Sequence, residues 1–328
     1  MAALKGKTVL VTGAGGFIGS HLTERLVTEG ASTRALVHYN ALGTWGWLDH
    51  CEVQDQVEVI AGDVCDRDRV RDAVKGCEVV FHLAALIAIP YSYQAPTSYV
   101  RTNVEGTLNV LQACREAGVA RVLHTSTSEV YGTARSVPIN EQHPLQGQSP
   151  YSASKIGADK MAEAFHLSFG LPVVTVRPFN TFGPRQSARA VIPTIITQCL
   201  AGKTVRLGNL HPTRDLNYVA NTVDGFLCAA TMPDAVGKTI NLGTGREISI
   251  GDLAKLIIRL VGSKVSIETE DARLRPKRSE VERLLADNSL AKEVLDWKPQ
   301  VSLEDGLRLT VDWMREHLDR YRPGVYVI

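Results

Sequence analysis

Tyr151 and Lys155 stand four residues apart in the run Tyr151-Ser152-Ala153-Ser154-Lys155, a spacing that puts a phenol and an ammonium on one face of a helix. A free tyrosine titrates at about 10 and is a poor base at neutral pH. A neighbouring cation lowers that value by favouring the phenolate, and the positive ring of an oxidised nicotinamide adds to the effect. Such a pair can take the proton of an alcohol while hydride leaves the same carbon. A second signature precedes it. Gly13-Ala14-Gly15-Gly16-Phe17-Ile18-Gly19 follows the apolar run Val9-Leu10-Val11. Glycines at 13, 16 and 19 let the backbone turn tightly and approach a pyrophosphate, which rests on the amides of a helix start at Phe17 and Ile18. Together the two motifs predict a dinucleotide-dependent oxidation of an alcohol.

The choice of dinucleotide is less determined. An acid about 20 residues beyond the glycines ordinarily holds the adenosine ribose of NAD. Here Val37-His38-Tyr39-Asn40 occupies that region, and no carboxylate stands between it and Asp49. NAD is the expected cofactor, with NADP left open. His38 either faces the ribose or is an ordinary surface histidine. Asp63, with Val64 after it, is a candidate for the adenine edge or else an acid opening the helix near Asp66.

These motifs need a frame. Apolar runs at 8–11, 33–37, 57–60, 79–83, 122–125 and 173–176 are rich in valine, isoleucine and leucine without strict alternation, as in strands covered on both faces. Helical patterns lie between them, the clearest at 98–117 and from Pro150 to a stop at Gly170 and Pro172. This predicts an α/β fold, a doubly wound parallel sheet of the Rossmann kind. Beyond Gly183-Pro184 the alternation weakens into helical stretches at 189–201, 220–230, 250–261 and 303–318. The expected organisation is a dinucleotide-binding domain over 1–180, with returning segments near 212–248. A smaller helix-rich substrate lobe takes 181–211 and 249–328, and the site lies in the cleft between them. Trp45 and Trp47 are placed to cover the cofactor cleft, while Trp297 and Trp313 are expected in the core of the smaller lobe. His82 and His124, inside apolar runs, are expected to be core residues.

Composition narrows the class. The chain has 328 residues, 44% hydrophobic and 22% charged, with 36 basic against 35 acidic residues. That balance lacks the electrostatic footprint of a nucleic-acid or anionic-membrane binder. No apolar run reaches the roughly 18 residues of a membrane span, and no signal peptide is recognisable. The six cysteines are scattered without a Cys-x-x-Cys pair, so no metal site or disulfide framework is expected. A cytoplasmic enzyme is the expectation.

The glycine loop, His82-Leu83-Ala84-Ala85, Asn103, the Tyr-Lys pair, Arg177-Pro178-Phe179-Asn180, Arg214-Asp215 and Asn241-Leu242-Gly243-Thr244-Gly245 together resemble the extended short-chain dehydrogenase/reductases. These are the NAD-dependent nucleotide-sugar epimerases, dehydratases and decarboxylases. The resemblance covers nearly the whole chain. It implies a nucleotide-sugar substrate, a commonly dimeric assembly built on the helices near 98–117 and 150–168, and cofactor contacts at Leu83, Ala84, Ala85, Thr125 and Pro178. It places the sugar's 4-hydroxyl at Thr127 and Tyr151, and the substrate also at Ser92, Asn180, Arg214 and Arg275. Arg185, Arg189 and Arg278 are further candidate phosphate partners.

In that family the stretch Thr127-Ser128-Glu129-Val130-Tyr131-Gly132 decides the reaction. Simple 4-epimerases usually carry a small residue where Glu129 stands, whereas the 4,6-dehydratases carry glutamate. Oxidation at carbon 4 makes a ketone that acidifies the hydrogen on carbon 5. Glu129 would remove it, water would leave from carbon 6, and hydride would return there. Ser128 or a water would assist the departing hydroxyl, although dehydratases acting on glucose have aspartate at this position. The nearest resemblance is to bacterial enzymes acting on UDP- or GDP-N-acetylglucosamine in legionaminic acid type pathways, carried by segments 85–93, 144–149, 185–193 and 275–281. Three alternatives stay open: a nucleotide-glucuronate decarboxylase, a 4-epimerase and a non-catalytic dinucleotide sensor. The decarboxylases also read Thr-Ser-Glu-Val-Tyr-Gly here but usually have a more charged segment between the tyrosine and lysine than Ser152-Ala153-Ser154.

Overall fold

The computed structural model describes residues 2–202 and 204–326; residues 1, 203 and 327–328, inside the domain ranges drawn above, lie outside the described residues. The six apolar runs form strands β1 (Thr8–Thr12), β2 (Ser32–His38), β3 (Val57–Gly62), β4 (Val79–His82), β5 (Arg121–Thr125) and β6 (Val173–Pro178). A seventh, β7 (Thr239–Leu242), comes from the second half of the chain. All pair in parallel, in the spatial order β7-β6-β5-β4-β1-β2-β3.

The main helices are α1 (Phe17–Thr28), α2 (Arg67–Val74), α3 (Gly106–Glu116), α4 (Pro150–Phe169), α5 (Val191–Leu200), α6 (Val219–Thr231), α7 (Ile250–Val261) and α8 (Leu303–Glu316). Strand periodicity sends neighbouring residues to opposite faces of the sheet. Val9, Val11, Phe81 and Leu123 pack against Leu22 and Leu26 of α1 and Phe226 of α6. Leu10, Val80 and Val122 pack on the other side against Val70 of α2, Val110 of α3 and Phe165 of α4. Both faces are therefore dry, which is why the strands read as continuous apolar runs. Each fully buried side chain of this kind contributes roughly 1.5–3 kcal/mol.

Two details of the frame position the chemistry. Helix α4 is capped by a reciprocal Ser149–Ser152 pair with Pro150 in the first turn, and it ends at Gly170 in the left-handed region at φ 67°. The helix expected at 98–117 does not run straight. It is helical from Pro96, opens into a π-helical turn at Val100–Glu105, and resumes as α3. The wider turn holds Asn103, which is 1% exposed. Its side chain accepts from the Leu86 amide at 2.8 Å and donates to the Leu86 carbonyl at 3.0 Å and to Ser154 Oγ at 2.9 Å. Asn103 thus ties the segment after β4 to the helix of the Tyr-Lys pair.

Helices α5, α7 and α8 enclose a separate core with Ile195, Ile196, Leu253, Ile257, Leu307 and Met314. Trp313 borders this core, but Trp297 does not belong to it. It packs with Ala291, Leu295 and Phe226 on the main sheet's side, its indole N–H donating to the Asn221 carbonyl at 3.0 Å. The segment around 291–297 therefore returns to the larger core, a placement that periodicity in a short helix could not reveal. No helix among the described residues is long and apolar enough to cross a membrane.

Candidate active site

A cleft of about 1060 Å³ runs between the carboxyl ends of the strands and the smaller lobe. One end is the glycine turn. Gly13 has φ +71°, and a Cβ there would lie 2.9 Å from Ala84 Cα, so only glycine fits both the conformation and the approach. A Cβ on Gly19 would strike the Gly13 carbonyl. Helix α1 opens at Gly16 with no side chain capping it. Its first amides, at Phe17 and Ile18, stay free for an anion at the positive end of the helix. These residues fit a dinucleotide pyrophosphate. The loop carrying Trp45 and Trp47 lies on this turn, with Trp47 N–H donating to the Gly15 carbonyl at 3.0 Å. Both tryptophans line the cleft, and Trp47 meets Trp313 edge-on at 5.5 Å.

Farther in, Leu83, Ala84, Ala85, Thr125 and Pro178 form the walls. Thr12 Oγ1 accepts from the amides of Leu83 and Ala84 at 3.2 and 3.1 Å. His82 and His124 are buried as expected, His82 between the hydroxyls of Thr12 and Thr107.

At the centre, Tyr151 and Lys155 face the end of β5. Lys155 is 4% exposed and donates from Nζ to the Thr125 carbonyl at 2.6 Å. Burial lowers its pKa to about 8, partly offset by Asp159. Tyr151 departs from the sequence expectation. Burial pushes its phenol well above the ordinary value, hydrogen bonding with Thr127 pulls it back, and the Glu129 charge raises it again. Desolvation of the phenolate outweighs the hydrogen bond from Thr127 in this arrangement. Thr127 caps the short helical turn Ser128–Tyr131, its Oγ1 accepting from Glu129 N–H at 3.2 Å. That turn presents Ser128 and Glu129 to the cleft, with Glu129 8% exposed.

The far end is cationic. Arg214 Nη2 and Arg275 Nη1 stand 3.6 and 3.8 Å from one carboxylate oxygen of Glu280. Arg275 Nη1 and Asn180 Oδ1 are buried with no hydrogen-bond partner, so both have bonding capacity left for a ligand. Burial pulls the Arg214 pKa down, opposed by Glu129. Glu280, lying between the two arginines, was not singled out from the sequence, where it reads as one acid in a polar loop.

Several expectations need correction. Ser92 is fully buried, donates from Oγ to the Ile89 carbonyl at 2.7 Å, and does not line the cleft. A serine in the first turn of the short helix Ile89–Gln94 turns inward onto its own backbone. Val64 is buried in the core and Asp63 stands outside the lining. Asp63 accepts from Cys65 N–H at 2.9 Å and lies 3.4 Å from Nε2 of His38, which does line the cleft. Helix α2 is capped by Asp66 rather than by Asp63. Arg185 is held bidentately by Glu24, both distances 2.8 Å, and is not free for a phosphate.

A family model described as GDP-mannose 4,6 dehydratase matches residues 10–310. The chain is 35% identical to a UDP-glucose 4-epimerase of Mycolicibacterium smegmatis, over 93% of this chain and 98% of that protein. It is also 35% identical to a dTDP-glucose 4,6-dehydratase of Streptomyces griseus, over 97% of each. Among solved structures, the dTDP-glucose 4,6-dehydratase DesIV of Streptomyces venezuelae, determined with NAD bound, superposes with a TM-score of 0.89 at 30% identity, covering 96% of this chain and 98% of that one. The glycine turn, the buried Tyr-Lys pair and the arginine-lined far end thus sit in a chain that belongs to the extended short-chain dehydrogenase/reductases, among the NAD-dependent sugar-nucleotide enzymes of 4,6-dehydratase type.

Proposed function

We propose that this is a cytoplasmic nucleotide-sugar 4,6-dehydratase whose substrate is a nucleotide-activated N-acetylglucosamine, with UDP or GDP as the nucleotide. The observation that carries the reading is Glu129, a carboxylate buried in the same cleft as Tyr151 and Lys155 and close enough for its charge to act on both Tyr151 and Arg214. NAD, when bound, supplies an acceptor for hydride from carbon 4, a donor of it to carbon 6, and a positive ring charge that favours the Tyr151 phenolate.

The chain's own residues divide the rest. Tyr151 Oη takes the proton of the 4-hydroxyl, with Thr127 Oγ1 holding that hydroxyl in line. Lys155 stabilises the resulting charge. With carbon 4 oxidised, the Glu129 carboxylate removes the acidified proton from carbon 5 and becomes a carboxylic acid. That proton leaves with the 6-hydroxyl as water, Ser128 assisting. When hydride returns to carbon 6, carbon 5 takes a proton back through Glu129, and the proton held by Tyr151 is released to solvent to restore the starting state. Arg214 and Arg275 take the diphosphate charge to charge, and Asn180 hydrogen-bonds the phosphate or the sugar. Gly13, Gly16, Phe17, Ile18 and Gly19 hold the cofactor pyrophosphate, while Leu83, Ala84, Ala85, Thr125 and Pro178 wall its nicotinamide end. His38, backed by Asp63, stands at the adenosine end.

For assembly we propose a homodimer through the helices near 98–117 and 150–168, whose Val100, Leu167 and Phe169 are 56%, 74% and 52% exposed. Light scattering of the purified chain tests it, and a monomer mass at micromolar concentration overturns it. The substrate reading is tested by mass spectrometry after incubation with UDP- and GDP-N-acetylglucosamine and with UDP-glucuronate. Loss of one water from an N-acetylglucosamine nucleotide is expected. Loss of carbon dioxide from the glucuronate, or a 4-epimer of unchanged mass resolved by chromatography, would replace this reading.

A further inference from the structure

Asp159 lies one helical turn beyond Lys155 on α4, 4% exposed, and takes more hydrogen bonds than any step above requires. Its Oδ1 accepts from His124 Nε2 at 3.0 Å. Its Oδ2 accepts from Ser126 Oγ at 2.7 Å and from Arg177 Nη2 and Nε at 2.9 and 3.3 Å. His124 and Ser126 flank Thr125, whose carbonyl receives Lys155 Nζ. Three consecutive residues at the end of β5 are therefore fastened to one face of α4, directly before Thr127. Arg177 continues the network to Tyr131 Oη at 3.0 Å, and Tyr131 Oη donates to Asn241 Oδ1 at 2.8 Å.

We propose that Asp159 is the positioning residue of the site: it fixes the end of β5 against the Tyr-Lys helix and supplies the buried negative charge that keeps Lys155 an ammonium. The only hydrogen bond that Lys155 donates among those seen goes to a neutral carbonyl, which leaves the charge to be balanced from elsewhere. Asp159 is the anion acting on it. The other titratable groups packed around the pair do not replace it. His82 on β4 and His124 on β5 are kept neutral by burial. Arg177 on β6 is a competing cation, and Glu129 on the turn after β5 is committed toward Arg214 and the cleft. Tyr99, Tyr131 and Tyr151 carry no charge until a proton leaves. In so dry a site a lysine without its anion sheds its proton readily.

This inference rests on the Tyr151–Lys155 pair being the proton-handling centre, so its test is made without substrate. The full chain, labelled with carbon-13 at the lysine ε position and loaded with NAD, is titrated by NMR, and Lys155 is identified by its loss in Lys155→Met. In Asp159→Asn the Lys155 midpoint is expected to fall by about one pH unit or more. In Arg177→Met, which frees Asp159 from its competing cation, it is expected to rise. Ser126→Ala removes a hydrogen bond without removing charge, and its midpoint is expected to stay in place. An unmoved midpoint in folded Asp159→Asn overturns the proposal, as does a shift in Ser126→Ala equal to that in Asp159→Asn. Should Asp159→Asn not fold, an unmoved midpoint in Arg177→Met overturns it. Failure of both to fold overturns it too, since the network would then serve the fold alone. A wild-type enzyme silent toward every sugar nucleotide sinks the substrate reading and leaves this measurement standing.

Discussion

Replacing Glu129 by glutamine separates the two halves of the proposed reaction. The substitution keeps shape and volume in a position 8% exposed, so no cavity forms and the thermal midpoint should change little. It removes the base while leaving Tyr151, Lys155 and Thr127 in place. A positioned general base contributes roughly 10²–10⁴-fold, so turnover to the dehydrated product should fall by that factor, about 3–5 kcal/mol at 1.36 kcal/mol per decade. Oxidation at carbon 4 should persist, and reduced nicotinamide should accumulate to a stoichiometric fraction of enzyme, read by its absorbance in a stopped-flow trace. A second consequence has the opposite sign. The Glu129 charge acts on Arg214, whose guanidinium also faces Glu280 at 3.6 Å. Removing it leaves the far end more cationic and should lower KM several-fold, about 1 kcal/mol at the effective dielectric of a partly buried site. A variant that lowers kcat and KM together fits this arrangement. Wild-type dehydration by Glu129→Gln, or a total loss of carbon-4 oxidation, would refute the assignment.

The Tyr151→Phe variant should abolish cofactor reduction as well as dehydration while retaining dinucleotide binding, which fluorescence titration with NAD checks; near-normal turnover would remove Tyr151 as the base. Gly19→Ala brings a Cβ against the Gly13 carbonyl and to 2.9 Å from Ala14 Cα, so NAD affinity should drop by at least tenfold in calorimetry. On pH, kcat/KM should fall as pH rises through about 8, where Lys155 loses its proton. Stability should move the other way: the unfolded lysine keeps its proton to about 10, so the unfolded chain binds more protons across that window and folding becomes more favourable as pH rises. The stability gained by Lys155→Met over wild type should therefore be largest below about pH 8 and shrink above it, as denaturant titrations at several pH values would show.

The strands were legible because a parallel sheet covered on both faces leaves runs such as Val9-Leu10-Val11 with no polar alternation. The Tyr-Lys pair and the glycine turn were legible because their chemistry fixes residue type and spacing locally. What escaped depends on direction in space. Ser92 has a suitable hydroxyl, but a short helix turns it into its own backbone. Trp297 sits in a stretch too short for periodicity to say which core it joins. The π-helical turn around Asn103 changes no residue type, only how many residues fill a turn. Glu280 reads as a solvated acid until Arg214 and Arg275 close on it from two segments. Asp159 had a visible cue, its place four residues beyond Lys155, but its worth lies in His124, Ser126 and Arg177, which the chain brings from two strands.

The arrival of β7 from residues 239–242 bears on how the chain is made. As the polypeptide emerges, β1 to β6 are complete by residue 178, yet β6 remains a bare, apolar edge until about sixty further residues have followed it. An unpaired parallel edge of Val173, Val174 and Val176 is a template for association with other chains. The same sheet face also waits for α6 and then for Ala291, Leu295 and Trp297. A fragment ending near residue 180 should therefore aggregate, whereas one extended past Trp297 completes the sheet and its cover. Nascent chains of this protein should depend on late residues for their solubility, and a ribosome stalled between those points would hold a product exposed to chaperones and proteases.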